Sequence, residues 1–285
     1  MDKRVSYDLN ILSLGAGVQS SALLLMADAG AFGDPPNCAI FADTQAEPKA
    51  VYAHLTKLVA AVSIPVHIVT AGDLGANVLG AIGSGRYRSG QPPLYVRQSK
   101  ETSQDEGLTT DTGGQLWRQC TSEYKIIPIQ RKVRELLGFK PRQKINKKVR
   151  QWFGITTDEA HRMRDSRVPW IDNYYPLVDA KLSRRDCERW LTKRGWTPTK
   201  SACVWCPYTN NKRWLQMRRE QPEEWKKAVA FDAALRDGGG KLHGVTGDAY
   251  VHRRTMPLPE AVAIDQPEEQ QEFDFGNECE GMCGV

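Results

Sequence analysis

The segment ILSLGAGVQSSALLL, residues 11–25, constrains the fold more than any other part of the chain. An apolar run is followed by glycine and hydroxyl residues and then by a second apolar run. This order predicts a buried strand at 9–14 and a helix at 18–29, joined by a glycine-rich turn. Such a turn directs backbone N–H groups and the positive end of the helix dipole at one point, which predicts an anion site. The competing interpretation is a turn of small residues that only packs the helix against the strand.

The same alternation of strand and helix continues after this segment. CAIFADT (38–44) and IPVHIVTA (64–71) have the composition of buried strands, and residues 47–62 between them have a helical period. Alternating elements of this kind predict an α/β fold with a doubly wound, mostly parallel sheet. We also expect helices at 122–138, 184–196 and 212–237, and a strand at FGIT, residues 153–156.

The length of 285 residues exceeds that of a usual single domain. We expect a nucleotide-binding α/β domain at 1–200, which includes a long mobile loop at 83–116, and a Cys-rich, mainly helical region at 201–285. No apolar run approaches the roughly 20 residues of a membrane helix, and the charged N-terminus lacks a signal-peptide pattern. These features predict a soluble, cytoplasmic protein with no membrane partner.

Two motifs resemble the PP-loop superfamily, in its PAPS-reductase-like branch of adenine-nucleotide alpha hydrolases. GAGVQS (15–20) is similar to the family loop Ser-Gly-Gly-x-Asp-Ser at Gly17 and Ser20, and FADTQAEP resembles the second family motif, with Gln45 in place of a glycine. In a doubly wound sheet the two motifs meet at the carboxyl edge. The resemblance implies an adenine-nucleotide site that these motifs supply with Ser13, Gly15, Gly17, Val18, Gln19, Ser20, Ser21, Asp43, Thr44 and Glu47.

Gln19 is the main departure from this family pattern. It replaces an Asp that, by resemblance, positions magnesium or nucleotide in the members that cleave ATP. Sulfonucleotide reductases of the same branch also lack this Asp. The nucleotide is therefore either ATP, with Mg²⁺ as an accompanying ion, or a sulfonucleotide such as PAPS or APS.

The seven cysteines give a second indication of function. An odd number argues against an exported disulfide framework and favours metal binding or thiol reactivity. Two thiolates three residues apart, in SACVWCPY, can share one metal centre, and a proline after the second is typical of iron–sulfur sites. The set is similar to that of iron-dependent sulfonucleotide reductases, although zinc is an alternative metal. The resemblance implies a 4Fe-4S cluster on Cys120, Cys203 and Cys206, but Thr121 stands where the family has a further cysteine ligand. We expect Cys283 to replace that ligand and Cys279 to be the reactive thiol, although these two could exchange roles.

Three further features carry weaker predictions. Glu159 and Arg162, in GITTDEAHRM, resemble a motif of PP-loop enzymes of DNA phosphorothioation, and the alternative is an ordinary helix N-terminus. Arg118 and Lys125 flank Cys120 and could bind nucleotide phosphates. The segment 140–150 holds six basic residues and no acidic residue, which suits a nucleic-acid backbone or a solvated face.

Three functions fit these features. The favoured one is an ATP-dependent enzyme that activates a substrate and transfers sulfur to a nucleic acid, supplied by a cysteine-desulfurase or thioredoxin-like donor. The second is a sulfonucleotide reductase in which a C-terminal thiolate attacks sulfur. The third is a non-catalytic nucleotide- or DNA-binding accessory protein with a structural iron–sulfur site.

Overall fold

Five parallel strands form the central sheet of the protein, in the order β3-β2-β1-β6-β7. The structure is a computed structural model that describes residues 6–97, 114–197 and 200–263. The sheet confirms the predicted α/β fold with a doubly wound parallel arrangement. Its strands are β1 (Leu9–Leu14), β2 (Cys38–Asp43), β3 (Val66–Thr70), β6 (Val149–Trp152) and β7 (Ile171–Tyr174).

Helices cover both faces of this sheet because the strand residues that point to each face are apolar. Leu12, Leu14 and Phe41 pack on one face with α1 (Val18–Asp28), α2 (Lys49–Ala61) and α6 (Arg184–Thr192). Ile11 and Ile40 pack on the other face with α4 (Ile127–Leu136). The strands are therefore buried on both sides, which explains their nearly continuous apolar sequences.

The strand order reverses at β1, since β2 and β3 lie to one side of it and β6 and β7 to the other. In open parallel sheets the crevice beyond the carboxyl ends of the strands at such a point is the usual ligand site. The loops that meet there follow β1 and β6. The glycine-rich turn is one of them, so the fold places it at the expected position for a ligand.

The chain divides into two compact units. Of the described residues, the first unit contains the parallel sheet and combines 6–71 with 123–197 and 200–202, and the second combines 72–97 and 114–122 with 203–263. The second unit thus draws on segments of both predicted domains. It holds a small antiparallel sheet in the order β5-β4-β8, with β4 at Tyr95–Arg97, β5 at Gly114–Gln115 and β8 at Asp248–Tyr250. Its helices are α3 (Leu74–Gly80), α7 (Asn211–Glu220), α8 (Pro222–Ala234) and α9 (Leu258–Ala263).

Several predicted elements differ in detail. The strand expected at FGIT lies directly before it, in Val149–Trp152, and the four residues FGIT are outside any strand. The helix expected from residue 122 begins with a π-helical turn at Ser122–Ile126 before α4. The helical region 212–237 is two helices, because Pro222 cannot continue α7 and instead begins α8. A short helix α5 at Pro176–Asp179 precedes α6. Within the described ranges, no helix is long and apolar enough to cross a membrane.

Candidate functional site

The turn after β1 is built around the N-terminus of α1. Gly17 is the N-cap residue and has no side chain to cap the helix, so the first N–H groups of α1 are left without a side-chain acceptor from the cap. Ser20 Oγ accepts a hydrogen bond from Gly15 N–H at 3.2 Å, which closes the turn on itself. Ala16 has a φ of 56°, a left-handed conformation that L residues adopt at a cost. A strained turn that points backbone donors outward from a helix start is suited to an anion.

Gly154, just beyond β6, presses against this turn. A Cβ atom at position 154 would lie 2.7 Å from Ser20 N, 2.8 Å from Ser20 Cα and 3.0 Å from the Gln19 carbonyl carbon. These distances exclude any side chain, so the two backbones approach as closely as two chains can. The loops after β1 and β6 therefore meet at the point where the strand order reverses.

Gln19 is held at this meeting point by three charged residues of the same unit. Its Nε2 donates to Glu159 Oε2 at 3.0 Å, and its Oε1 accepts from Arg184 Nη1 at 3.2 Å. Glu159 is paired in turn with Arg162, whose Nη1 lies 2.9 Å from Glu159 Oε1. The side chains of Gln19, Glu159 and Arg162 are all buried. A carboxylate and a guanidinium thus stand at the residue where the ATP-cleaving family pattern has an Asp.

Glu159 and Arg162 lie on a 3-10 helical turn, Thr157–Arg162, that follows β6. Thr156 is the N-cap residue of this turn, and it makes no side-chain capping bond. The Glu159 carboxylate contacts Gln19 and Arg162. A nucleotide-binding role for Glu159 and Arg162 stays a prediction.

The second motif positions Asp43 at the end of β2. Asp43 Oδ1 accepts from Tyr52 Oη at 2.8 Å and from Gln45 N–H at 2.8 Å. Burial, together with the hydrogen bond to Asp43, raises the pKa of Tyr52, so this hydroxyl remains a donor. Gln45 has a φ of 59°, the conformation that favours the glycine of the family motif.

Other residues of the two motifs are buried and make contacts with neighbouring elements. Ser13 Oγ accepts from Gln151 Nε2 at 2.6 Å, which joins β1 to β6 inside the sheet. Ser21 Oγ lies 2.9 Å from His54 Nε2 on α2, so its hydroxyl faces α2. Ser201 Oγ donates to Glu47 Oε2 at 3.1 Å. The remaining members, Val18 and Thr44, are buried as well.

The two basic residues that flank Cys120 belong to different units. Lys125 lies in the π-helical turn of the first unit and is buried. Arg118 lies in the second unit, with its guanidinium carbon 5.8 Å from the centre of the Tyr208 ring. A phosphate-binding role for either residue stays a prediction.

Three of the predicted metal ligands, Cys120, Cys203 and Cys206, lie in the second unit. Cys206 N–H donates to the Cys203 carbonyl at 3.0 Å, so the two cysteines share one turn. Within residues 6–97, 114–197 and 200–263, no three His, Cys, Asp or Glu side chains are grouped so that they could hold a metal ion. Cys279 and Cys283 lie outside the described residues. The described cysteines therefore do not form a complete cluster site among themselves.

The thiols of Cys38 and Cys187 are buried in the first unit. Burial raises the pKa of Cys38 to about 11 and that of Cys187 to about 12. Only the thiolate reacts, and at pH 8 about one molecule in a thousand carries it at Cys38. We therefore expect neither residue to be alkylated by iodoacetamide in the native protein at pH 8. Peptide mass mapping after a brief treatment checks this, and labelling of either residue before unfolding would contradict it.

The basic segment 140–150 lies at the opposite edge of the sheet from the glycine-rich turn. It leads into the first residue of β6, whereas the turn follows the last residue of β1, and the two strands are parallel. Lys140, Arg142 and Lys144 are exposed, and Arg150 lies over the rings of Tyr7 and Tyr174, at 4.2 and 4.9 Å. A polyanion on this segment would therefore not reach the turn along the same edge.

Sequence reasoning missed several residues of the site. Gly154 could have been found, because a glycine within an apolar run signals a close backbone approach. Tyr52, Gln151 and Arg184 carry no such signal, since each becomes a site neighbour only through the strand order or the packing of a helix. The contacts of Gln19 to Glu159 and Arg184 span 140 and 165 residues of sequence.

No protein-family model and no curated protein matches the chain. Among solved structures, the chain is similar to the phosphoadenylyl-sulfate (PAPS) reductase from Candida auris in its phosphate complex. The two are 16% identical, the match covers 69% of this chain and 77% of that chain, and the TM-score is 0.38.

Proposed function

We propose that the first unit binds ATP and that the protein is an enzyme that activates an acceptor by adenylylation and then transfers sulfur to it, with a nucleic acid as the acceptor. The observation that carries this proposal is the Glu159 carboxylate, 3.0 Å from the Gln19 amide. Gln19 was the main departure from the ATP-cleaving pattern, because it lacks a carboxylate. Glu159 supplies a carboxylate at the same point from another loop.

The neighbouring groups support a role for this carboxylate in phosphate chemistry. Arg162 and Arg184 carry positive charge beside Gln19 and Glu159, and the start of α1 provides backbone donors for phosphate oxygens. Mg²⁺ that binds with a nucleotide takes one or two carboxylates and completes its shell with phosphate oxygens and water. We propose Glu159, beside Gln19, for this role. Mg²⁺ would neutralise charge on the phosphates and favour the departure of pyrophosphate.

The proposed reaction has two displacements. An oxygen of the acceptor attacks the α-phosphorus of ATP, its bond to that phosphorus forms, and pyrophosphate leaves with the electron pair of the broken bond. The terminal sulfur of a persulfide then attacks the activated centre, and AMP leaves. A second thiol, from the protein or a thioredoxin-like donor, breaks the resulting S–S bond and is oxidised to a disulfide. We propose Cys279 as the persulfide carrier.

A second candidate function rests on the neutral side chain at position 19. In a sulfonucleotide reductase no bond between phosphates is cut, so a carboxylate for Mg²⁺ is not required. The pairing of Glu159 with Arg162 would then serve only to fix the loop after β6. A terminal thiolate would attack the sulfur of PAPS or APS and release the nucleotide, and a thioredoxin-like dithiol would release sulfite and become a disulfide.

Product analysis with the full chain separates these functions. The protein is purified without oxygen and incubated with ATP and Mg²⁺, or with PAPS or APS and a dithiol. Pyrophosphate and AMP from ATP support the proposal, whereas sulfite from a sulfonucleotide would replace it with the reductase. Binding of ATP without turnover, in the presence of candidate nucleic acids, would identify an accessory protein.

The Glu159→Gln substitution tests whether the carboxylate beside Gln19 takes part in the reaction. The substitution keeps the shape of the side chain but removes its charge, so we expect ATP turnover to fall about 10²-fold. Glu135→Gln is the matched control, because its carboxylate is 69% exposed and pairs only at the surface with Lys132. Equal turnover of the two variants would show that Glu159 has no part in the reaction.

The cluster is a separate proposal, with Cys120, Cys203, Cys206 and Cys283 as ligands. Iron and labile sulfide are measured in the anaerobic protein and in the Cys203→Ser and Cys38→Ala variants. Iron lost only in the first variant supports the cluster, and zinc in place of iron would identify a zinc site. Loss of activity with iron retained in Cys279→Ser would mark the reactive thiol.

A further inference from the structure

Two exposed aromatic side chains lie in neighbouring segments of the second unit. Trp117 is 89% exposed and Tyr87 is 73% exposed. Five large apolar side chains are exposed in the described part of the chain, and Trp117 and Tyr87 are the two aromatic ones among them. Exposure of a tryptophan to this degree gives up the free energy of burying its ring, so it indicates a surface that contacts a ligand.

The backbone brings these two residues close together. Gln119 Nε2 donates to the Tyr87 carbonyl at 3.3 Å, and Gln119 Oε1 accepts from Ser89 N–H at 3.1 Å. The main chain continues the contact, since Gln119 N–H donates to the Gln91 carbonyl at 3.0 Å. Trp117 is two residues from Gln119, so its Cα lies within about 7 Å of the Gln119 Cα. Tyr87 and Trp117 thus stand on adjoining segments.

Arginines alternate with the aromatic residues in the sequences RYR and WR. We call residues 86–88 with 117 and 118 the arginine–aromatic strip. The described segments around it, 83–97 and 114–122, contain four arginines and no acidic residue. Arg86 and Arg88 are exposed, and Arg118 lies 5.8 Å from the Tyr208 ring. The Tyr87 and His243 rings form a T-shaped pair with 5.5 Å between ring centres, and the Tyr87 side chain is still 73% exposed.

From this arrangement we propose that the arginine–aromatic strip binds single-stranded nucleic acid. Unstacked bases would lie on the rings of Trp117 and Tyr87, and the phosphates between them would contact the neighbouring guanidinium groups. A duplex keeps its bases stacked and offers the rings nothing. The inference rests on the proposed function only for the biological acceptor, since binding can be measured without any turnover.

The strip is a better candidate for nucleic-acid recognition than the basic segment 140–150. The side chains of that segment offer charge, but its aromatic partners, Tyr7 and Tyr174, are covered by Arg150 at 4.2 and 4.9 Å. The strip combines positive charge with free ring faces. Charge alone would bind double and single strands alike, whereas charge with rings selects single strands.

Fluorescence anisotropy of a labelled 12-nucleotide single strand, DNA or RNA, tests the proposal with the full chain and no ATP. We expect Trp117→Ala and Tyr87→Ala each to weaken binding at least about fivefold, and Trp117→Phe to retain most of it, because a phenyl ring still stacks. Arg86→Ala should weaken binding and reduce the slope of log affinity against log salt by about 0.7. All these positions are exposed, so the variants should fold as the parent does.

Two matched controls complete the experiment. Ile68→Ala removes another large exposed side chain, at 59% exposure, and should leave binding unchanged. Lys140→Ala with Lys144→Ala removes charge from the basic segment and should affect binding less than Arg86→Ala. The proposal is overturned if the parent binds no single strand at 50 mM salt, if both aromatic variants bind as the parent does, or if only the lysine variant is weakened. Binding without release of pyrophosphate from ATP would uphold the strip and refute the adenylylation, and the reverse result would do the opposite.

Discussion

Gly154→Ala is expected to lower nucleotide turnover strongly and to destabilise the protein. The new Cβ would lie 2.7 Å from Ser20 N and 2.8 Å from Ser20 Cα, and both are backbone atoms that cannot rotate away. The turn after β1 or the loop after β6 must therefore move. We expect a loss of about 1–3 kcal/mol in the free energy of unfolding. Because the shift falls at the turn after β1, where we propose that phosphate binds, turnover should drop about 10²-fold or more.

Urea denaturation and turnover measure these two effects separately. Gly80→Ala is the matched control, since it also adds one methyl group to a glycine, and nothing lies within 4 Å of its Cβ position. That variant should keep the parent's stability and turnover. A Gly154→Ala protein with unchanged stability and turnover would show that the two loops are not in contact as described.

Gln19→Glu is expected to have the second largest effect. The new carboxylate keeps the shape of the amide and its contact with Arg184, but it also faces Glu159, which accepts a hydrogen bond from Gln19 at 3.0 Å in the parent. The hydrogen bond is lost, and two buried carboxylates then share one site, which raises the pKa of one of them. We expect about 1–3 kcal/mol of destabilisation at pH 7.

The pH dependence of this penalty follows from the direction of the pKa shift. A carboxyl group whose pKa is raised by folding keeps its proton longer in the folded state. The penalty is therefore absent below the unfolded pKa, near 4.3, and grows as the pH rises toward 7. Urea denaturation of the variant and the parent at pH 5 and pH 7.5 should show the larger difference at pH 7.5.

The double variant Gln19→Glu with Glu159→Gln provides the decisive comparison. It restores one carboxylate and one amide with their positions exchanged, so stability should return toward that of the parent. Additive losses in the two single variants and the double variant would mean that the side chains do not interact.

The sequence predicted the part of the site that depends on order along the chain. The buried strand, the glycine turn and the helix start are local features, and Asp43 follows a second strand of the same kind. Because parallel strands end at the same edge of a sheet, the sequence also predicted that Asp43 and the turn lie at one edge. The positive φ of Gln45 agrees with a motif in which glycine is expected.

The rest of the site depends on which strand lies beside β1. That neighbour is β6, whose first residue, Val149, pairs with Leu9 although the two lie 140 residues apart in the sequence. Only this pairing brings Gly154 onto Ser20 and Glu159 onto Gln19. The pairing also fixes the direction of β6 and therefore sends the basic segment to the opposite edge. The apolar residues of FGIT predict a strand, but these four residues follow β6, and Gly154 packs against Ser20.

The proposal that ATP binds at the turn after β1 is tested most directly by measuring ATP binding to the 285-residue protein and to its Gly154→Ala and Gly80→Ala variants. Isothermal titration calorimetry with Mg²⁺ and ATP should give saturable binding to the parent and to Gly80→Ala. Gly154→Ala should bind at least about tenfold more weakly, because the turn after β1 is displaced. If the parent and Gly154→Ala bind ATP equally, or if the parent binds none, the turn after β1 is not the nucleotide site.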